Sequence, residues 1–168
     1  MKIIIHDLCS TDFEGFGLTT DFDTKVIADN GKIHPCIGCF GCWVKTPGTC
    51  VLRDGYENIG ELLSVCEELI IISRCIYGSY SPFVRNILDR SISYMLPYFA
   101  TINGETHHRN RYDNHVALSV HFYGEDITQE EKETAEQILL NNSHQFNIKN
   151  KPIAKFCTSV SELKGLKL

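Results

Sequence analysis

Residues 69–82 read LIIISRCIYGSYSP. The run LIIIS (69–73) is the clearest buried strand in the chain, because a strand of consecutive bulky aliphatics has no polar face to leave in water. Nine residues after Ile72, Ser81 followed by Pro82 gives a cap and a proline at the first helical position. Val84, Ile87, Leu88, Ile92, Met95 and Leu96 then form a helical stripe. This strand, loop and helix predict one unit of a parallel α/β sheet.

The pattern repeats outward from there. KIIIHDL (2–8), HVALSVHFY (115–123) and PIAKFC (152–157) read as further strands, and SVSELK as a short last helix. Asp54 to Cys66 is predicted to be a helix, capped by Asp54 with Glu57 completing a capping box. Thr128 and Glu131 form a second capping box, for a helix running to about residue 146. VIADNGKIHP (26–35) reads as two short strand pieces joined by a tight Asn30-Gly31 hairpin. Strands alternating with helices imply parallel pairing through right-handed crossovers, hence an open, doubly wound, three-layer sheet in a single domain spanning 1–168. Ligands of such sheets bind beyond the carboxyl ends of the strands. The loops after Leu8, from Arg74 to Ser81 and from Tyr123 to Asp126 are expected to meet there.

Composition narrows the function classes. A net charge of −5 argues against nucleic acid as a default partner, since phosphate binding needs a basic field. No apolar run approaches the ~20 residues that span a bilayer, and MKIII meets His6 and Asp7 too soon for a signal peptide. A cytoplasmic location is therefore expected, where clustered cysteines bind metal or do redox chemistry more often than they form a disulfide framework.

Four of the eight cysteines fall in CIGCFGCWVKTPGTC (36–50), spaced Cys36-x2-Cys39-x2-Cys42-x7-Cys50. Three occupants suit such a run. The C-x2-C-x2-C opening is used by bacterial iron–sulfur sites. The thiols could equally be structural or redox-active as they stand. Structural zinc ranks last, because it prefers two separated C-x2-C knuckles. Phe40 and Trp43 are expected in the core, as are Cys9, Cys66, Cys75 and Cys157.

CIGCFGCWVKTPGTC, YGSYSPFVRNILDRS and NGETHHRNRY together resemble the flavodoxin-fold NAD(P)H-dependent FMN reductase family, with the cysteine spacing of its iron–sulfur flavoprotein branch. The resemblance covers roughly residues 33 to 125. It implies a flavodoxin-like sheet, with FMN at the strand carboxyl ends and electron transfer from a nicotinamide nucleotide to a redox acceptor. Tyr77, Gly78, Ser79, Tyr80 and Ser81 would then line the flavin ring, Cys36, Cys39, Cys42 and Cys50 would hold a 4Fe–4S cluster, and the chain would form a homo-oligomer.

One part of that pattern is missing. The family's first strand runs into a glycine- and serine-rich loop whose amides and hydroxyls hold the FMN phosphate. Here Ser10 and Thr11 supply hydroxyls, but residues 7–29 carry Asp7, Asp12, Glu14, Asp21, Asp23 and Asp29 against the single Lys25. No amphipathic helix of usual length fits between Leu8 and Val26, so the first crossover is expected to be shortened to an irregular loop. His107, His108, Arg109, Arg111 and His115 offer a compensating cationic cluster, or else belong to a solvated loop. Asp89-Arg90 reads as a local, exposed ion pair positioning its helix. Two functions follow: a flavodoxin-like FMN reductase-type oxidoreductase, or a flavin-free, non-enzymatic interaction subunit that keeps the fold.

Overall fold

The computed structural model describes residues 1–15, 23–102, 104–148 and 150–163. In chain order the elements are β1 (Lys2–His6), α1 (Ser10–Glu14), β2 (Thr24–Ala28), α2 (Gly41–Val44), α3 (Ile59–Ser64), β3 (Glu68–Arg74), α4 (Pro82–Arg90), β4 (Met95–Ile102), β5 (Glu105–Asn110), β6 (Ala117–Tyr123), α5 (Gln129–Ser143), β7 (Ile153–Cys157) and α6 (Val160–Leu163). Five strands form one sheet in the order β2-β1-β3-β6-β7, and every pair in it is parallel. The chain winds from β1 outward to β2, then crosses back to β3. That reversal is the switch point expected of a doubly wound sheet.

The period-two alternation of a strand divides each aliphatic run between the two faces. Ile3, Ile5, Leu69, Ile71 and Val120 pack with Leu63 of α3, Val84 and Ile87 of α4, and Leu139 of α5. Ile4, Ile70 and Ile72 pack with Leu8 and Leu163, and with Phe13 of α1 and Val160 of α6. This makes three layers, and explains why LIIIS could be apolar at every step. Each such buried aliphatic contributes about 1.5–3 kcal/mol. The second face also carries two histidines. His6 and His121 flank Ile72 in one row across the sheet and are almost fully buried. Neither nitrogen of His6, nor Nδ1 of His121, has a hydrogen-bond partner among the described residues. Burial therefore lowers both pKa values, that of His121 to about 4 with Lys155 adding to the effect.

Helix starts follow the sequence where the signal is local. Ser81 Oγ accepts the Val84 N–H ahead of Pro82 at the start of α4. Thr128 and Glu131 make both bonds of the capping box on α5.

Four expectations are corrected. Residues 26–35 form no hairpin: one strand pairs with β1, and Asp29 and Asn30 turn the chain by accepting the amides of Gly31 and Lys32. The helix expected from Asp54 begins only at Ile59. Gly55 at φ +94° cannot belong to a helix, the Glu57 carboxylate accepts the Gly55 N–H, and the Asp54 carboxylate is engaged elsewhere. The helix after Pro82 ends at Arg90, followed by a 3-10 turn over Ser91–Tyr94, so Ile92 and Met95 lie outside it. Of the segment 103–115, residues 105–110 form strand β5, paired antiparallel with β4, so His107, His108 and Arg109 lie on a strand while Arg111 and His115 lie in the loop after it. The β4–β5 register shifts between Met95 and Phe99, where Pro97 has no N–H to give a ladder. The shortened first crossover begins as the five-residue α1, and residues 16–22 of that crossover lie outside the described residues. No helix among the described residues is long and apolar enough to cross a membrane.

Candidate functional site

The cysteine segment links β2 to α3. Cys36 and Cys39 are exposed, Cys42 and Cys50 are half-buried, and none is in a disulfide. Phe40 takes φ +56°, winding the backbone between Cys39 and Cys42 into α2. The far end is fastened by the Gly48 N–H donating to the Cys42 carbonyl and the Cys50 N–H to the Glu57 carbonyl. Cys36, Cys39, Cys42 and Cys50 thereby line one cavity of about 400 Å³. Burial pushes the Cys42 thiol pKa up, and the neighbouring Cys50, Cys36 and Cys39 add to it. Phe40 and Trp43 form part of the cavity wall instead of the core. Phe40 is 62% exposed, and the Trp43 indole N–H donates to the Met95 carbonyl at 2.9 Å while its ring meets His108 at 5.1 Å.

Arg90 lines the same cavity. It does not pair with Asp89; its side chain is fully buried and pairs with the equally buried Asp54, 36 residues away in sequence. Burial alone would raise the Asp54 pKa. Arg90 and the amides of His34 and Tyr56 more than offset this and hold the carboxyl well below the usual range. Burial works against the Arg90 charge too, and Asp54 and the adjoining Cys50 sulfur outweigh it. Its Nε–H has no hydrogen-bond partner among the described residues. Helical phase could have found this residue, since Arg90 follows Val84 and Ile87 on the buried face of α4.

The donor set tests the two cofactors that the resemblance implies. Among the described residues no group of three or more His, Cys, Asp or Glu side chains could hold a single metal ion. Zinc needs its ligands about one point, at about 2.3 Å for sulfur. Four cysteines lining one cavity supply the number and type of ligands that a 4Fe–4S cluster would take.

The rim above β1, β3 and β6 is different. The Asp7 carboxylate accepts the Arg74 N–H at 2.9 Å and the Tyr123 hydroxyl at 3.1 Å, tying the three strand ends together. Ser10 and Thr11 are exposed on α1, where Thr11 Oγ1 lies 3.1 Å from Cys9 Sγ and the Cys9 thiol donates to Asp12 at 3.0 Å. A phosphate placed there would face Asp7 and Asp12 with only a single-turn helix to attract it. Each such repulsion costs ~1 kcal/mol in water and more in a cleft. Among the described residues of this crossover, these two carboxylates oppose the phosphate end of FMN while Ser10 and Thr11 offer hydroxyls.

The loop expected against the flavin ring is divided. Tyr77 is 89% exposed at φ +51°, and Ser79 Oγ accepts from Arg85 at 2.9 Å. Gly78 is pressed against α5, Tyr80 is buried on Phe122, and Ser81 caps α4. Burial pushes the Tyr80 hydroxyl up to about 12.

Elsewhere, Cys66 is buried as expected, Cys75 and Cys157 are half-buried, and Cys9 is exposed. The cationic residues are spent separately. Arg109 and Arg111 donate to the carbonyls of Phe99, Ser93 and Met95, His107 meets Glu105, and His115 meets the Asn147 carbonyl.

No family model matches the chain, and no curated protein matches it. Solved structures do. The Trp repressor binding protein of Bacillus subtilis superposes with a TM-score of 0.53 at 13% identity, over 95% of this chain and 88% of that one. An FMN-dependent NADH-azoreductase of Bacillus anthracis, solved in complex with FMN, gives 0.54 at 8% identity, over 92% and 85%. At such identities the likeness speaks for architecture, and with the parallel five-stranded order it establishes a flavodoxin-like α/β fold.

Proposed function

We propose that this chain is an electron-transfer oxidoreductase of the flavodoxin-like NAD(P)H-dependent FMN reductase type, with Cys36, Cys39, Cys42 and Cys50 as the ligands of a 4Fe–4S cluster. The observation that supports the reading is that these four cysteines line one cavity together with the buried Arg90. Such a cluster supplies storage for one electron at a time, at a potential its surroundings set. The chain's own residues do the rest. The turns at Phe40 and Gly48 hold the thiols in place, and Trp43 and Met95 wall the cavity. In this reading single electrons pass through the cluster to a redox acceptor, and the chain self-associates. A nicotinamide nucleotide gives a two-electron hydride and would supply them only by way of a bound flavin.

FMN enters through the azoreductase of the same fold, which is in complex with it. Exposed Tyr77 and half-buried Ser79 stand on the ring side, and the carboxylates of Asp7 and Asp12 oppose a phosphate at the described part of the first crossover. The Asp7 tie across the rim also favours a second reading, a flavin-free interaction subunit that retains the fold.

Anaerobic purification, reconstitution with ferrous iron and sulfide, and analysis for iron, sulfide and flavin decide between them. The first reading expects brown protein with about four irons per chain that bleaches in air. Added FMN should bind, weakly, through its ring. Colourless protein that takes up neither iron nor FMN overturns the first reading in favour of the second.

A further inference from the structure

We propose that Arg90 is the positioning residue that sets the charge of the four-thiol cavity: its buried guanidinium, pinned by Asp54, supplies the cation and the N–H donor that favour an anionic, thiolate-ligated cluster there. This rests on the cluster reading above and extends it to a residue outside the cysteine segment.

Three observations carry it. First, the guanidinium is fastened from both flanks of the cysteine run. Nη1 donates to Asp54 and to the His34 carbonyl, and Nη2 donates to the Leu52 carbonyl at 3.3 Å. Asp54 in turn accepts the His34 N–H at 2.9 Å. The pair therefore clasps the chain just before Cys36 to the chain just after Cys50. Second, Nε is the one guanidinium nitrogen with no hydrogen-bond partner among the described residues, in a side chain with no solvent exposure that lines the cavity beside Cys50. A buried donor left unmade costs about 1–3 kcal/mol, so the site favours an acceptor. The cavity offers sulfur, and sulfur carrying negative charge is the stronger acceptor. Third, the charge balance asks for a cation. An oxidised cubane with four thiolates is a dianion, and one-electron reduction adds a third negative charge. Asp89 also lines the cavity, and burial raises its pKa. Among the described residues lining that cavity, Arg90 is the only Lys or Arg.

Hydrogen bonds to the sulfurs and net charge are among the levers that set a cluster's potential. Losing the Arg90 charge makes reduction harder. Losing the Asp54 charge leaves Arg90 uncompensated and makes reduction easier. The two substitutions therefore move the potential in opposite directions, a result that loss of a merely structural clasp would not produce.

The test uses the full chain, wild type, R90Q, R90K and D54N, each reconstituted anaerobically with ferrous iron and sulfide. Circular dichroism of the metal-free proteins checks folding. Iron and sulfide per chain, the rate of iron loss to a chelator, and the midpoint potential from a dithionite titration followed by electron paramagnetic resonance are the readouts. R90Q and R90K are expected to bind the cluster about 10–100-fold more weakly, the usual effect of removing an outer-shell partner. R90Q should lower the potential, and D54N should raise it. Unchanged retention and potential in R90Q, or shifts of the same sign in R90Q and D54N, overturn the proposal. Should R90Q fail to fold without metal, D54N decides alone: an upward shift supports it, and no shift or a downward one overturns it. If the wild type takes up no iron, the cluster reading itself has failed and this proposal falls with it.

Discussion

Acid should destabilise this fold through a histidine that its sequence neighbours do not mark. His121 is 3% exposed in the row that also holds His6 and Ile72, with Nδ1 unpartnered and Lys155 on the adjoining strand. Its pKa in the folded chain is lowered from 6.5 to about 4. The folded state thus refuses a proton that the unfolded state accepts. The stability attributable to neutral His121 is fully present above pH 6.5, erodes as pH falls, and is gone below about pH 4. The full difference corresponds to about 3 kcal/mol, of which about 2 kcal/mol is lost between pH 7 and 4.5. His6, shifted in the same direction, adds to the loss over part of the same window. Urea denaturation at pH 7, 5.5 and 4.5, on wild type and H121F, measures it. The variant should recover about 2 kcal/mol of the acid-induced loss. Parallel pH profiles for the two proteins would show that His121 is hydrated or paired in solution, and would refute the reasoning.

Two further substitutions test packing and capping by urea midpoints. Gly78 stands at φ +70°, and a Cβ there would meet the Glu131 carbonyl at 2.8 Å and the Thr134 Cβ at 2.7 Å, so Gly78→Ala should cost at least about 2 kcal/mol. A cost under about half of that would mean α5 can move away from the loop. Thr128→Ala removes one arm of the α5 capping box and should cost about 1 kcal/mol, with no effect on iron uptake.

What the sequence made legible was local. LIIIS, KIIIH and ALSVHFY announce buried strands because each carries its signal in consecutive residues, and Ser81-Pro82 and Thr128-x2-Glu131 announce helix starts because the cap and its target are three residues apart. What failed was non-local. Asp54 has the residue type and spacing of an N-cap, yet its carboxylate belongs to Arg90 on α4. Arg90 looked like the surface partner of Asp89 because adjacency is visible in a sequence and a contact 36 residues away is not. The stripe through Ile92, Met95 and Leu96 kept helical phase past the end of α4, where the 3-10 turn and Pro97 divert the chain into β4. The cysteine spacing grouped four residues that line one cavity, but the arginine beside them could be found only once α4 was packed.

The chain has a single tryptophan, and Trp43 stands in the cavity wall between Phe40 and His108. Its intrinsic emission is therefore a built-in gauge of that compartment. Any occupant that absorbs in the near ultraviolet or visible would quench it in proportion to filling. Occupancy can thus be followed in the unlabelled, unmutated protein, in real time, without waiting for colour to develop.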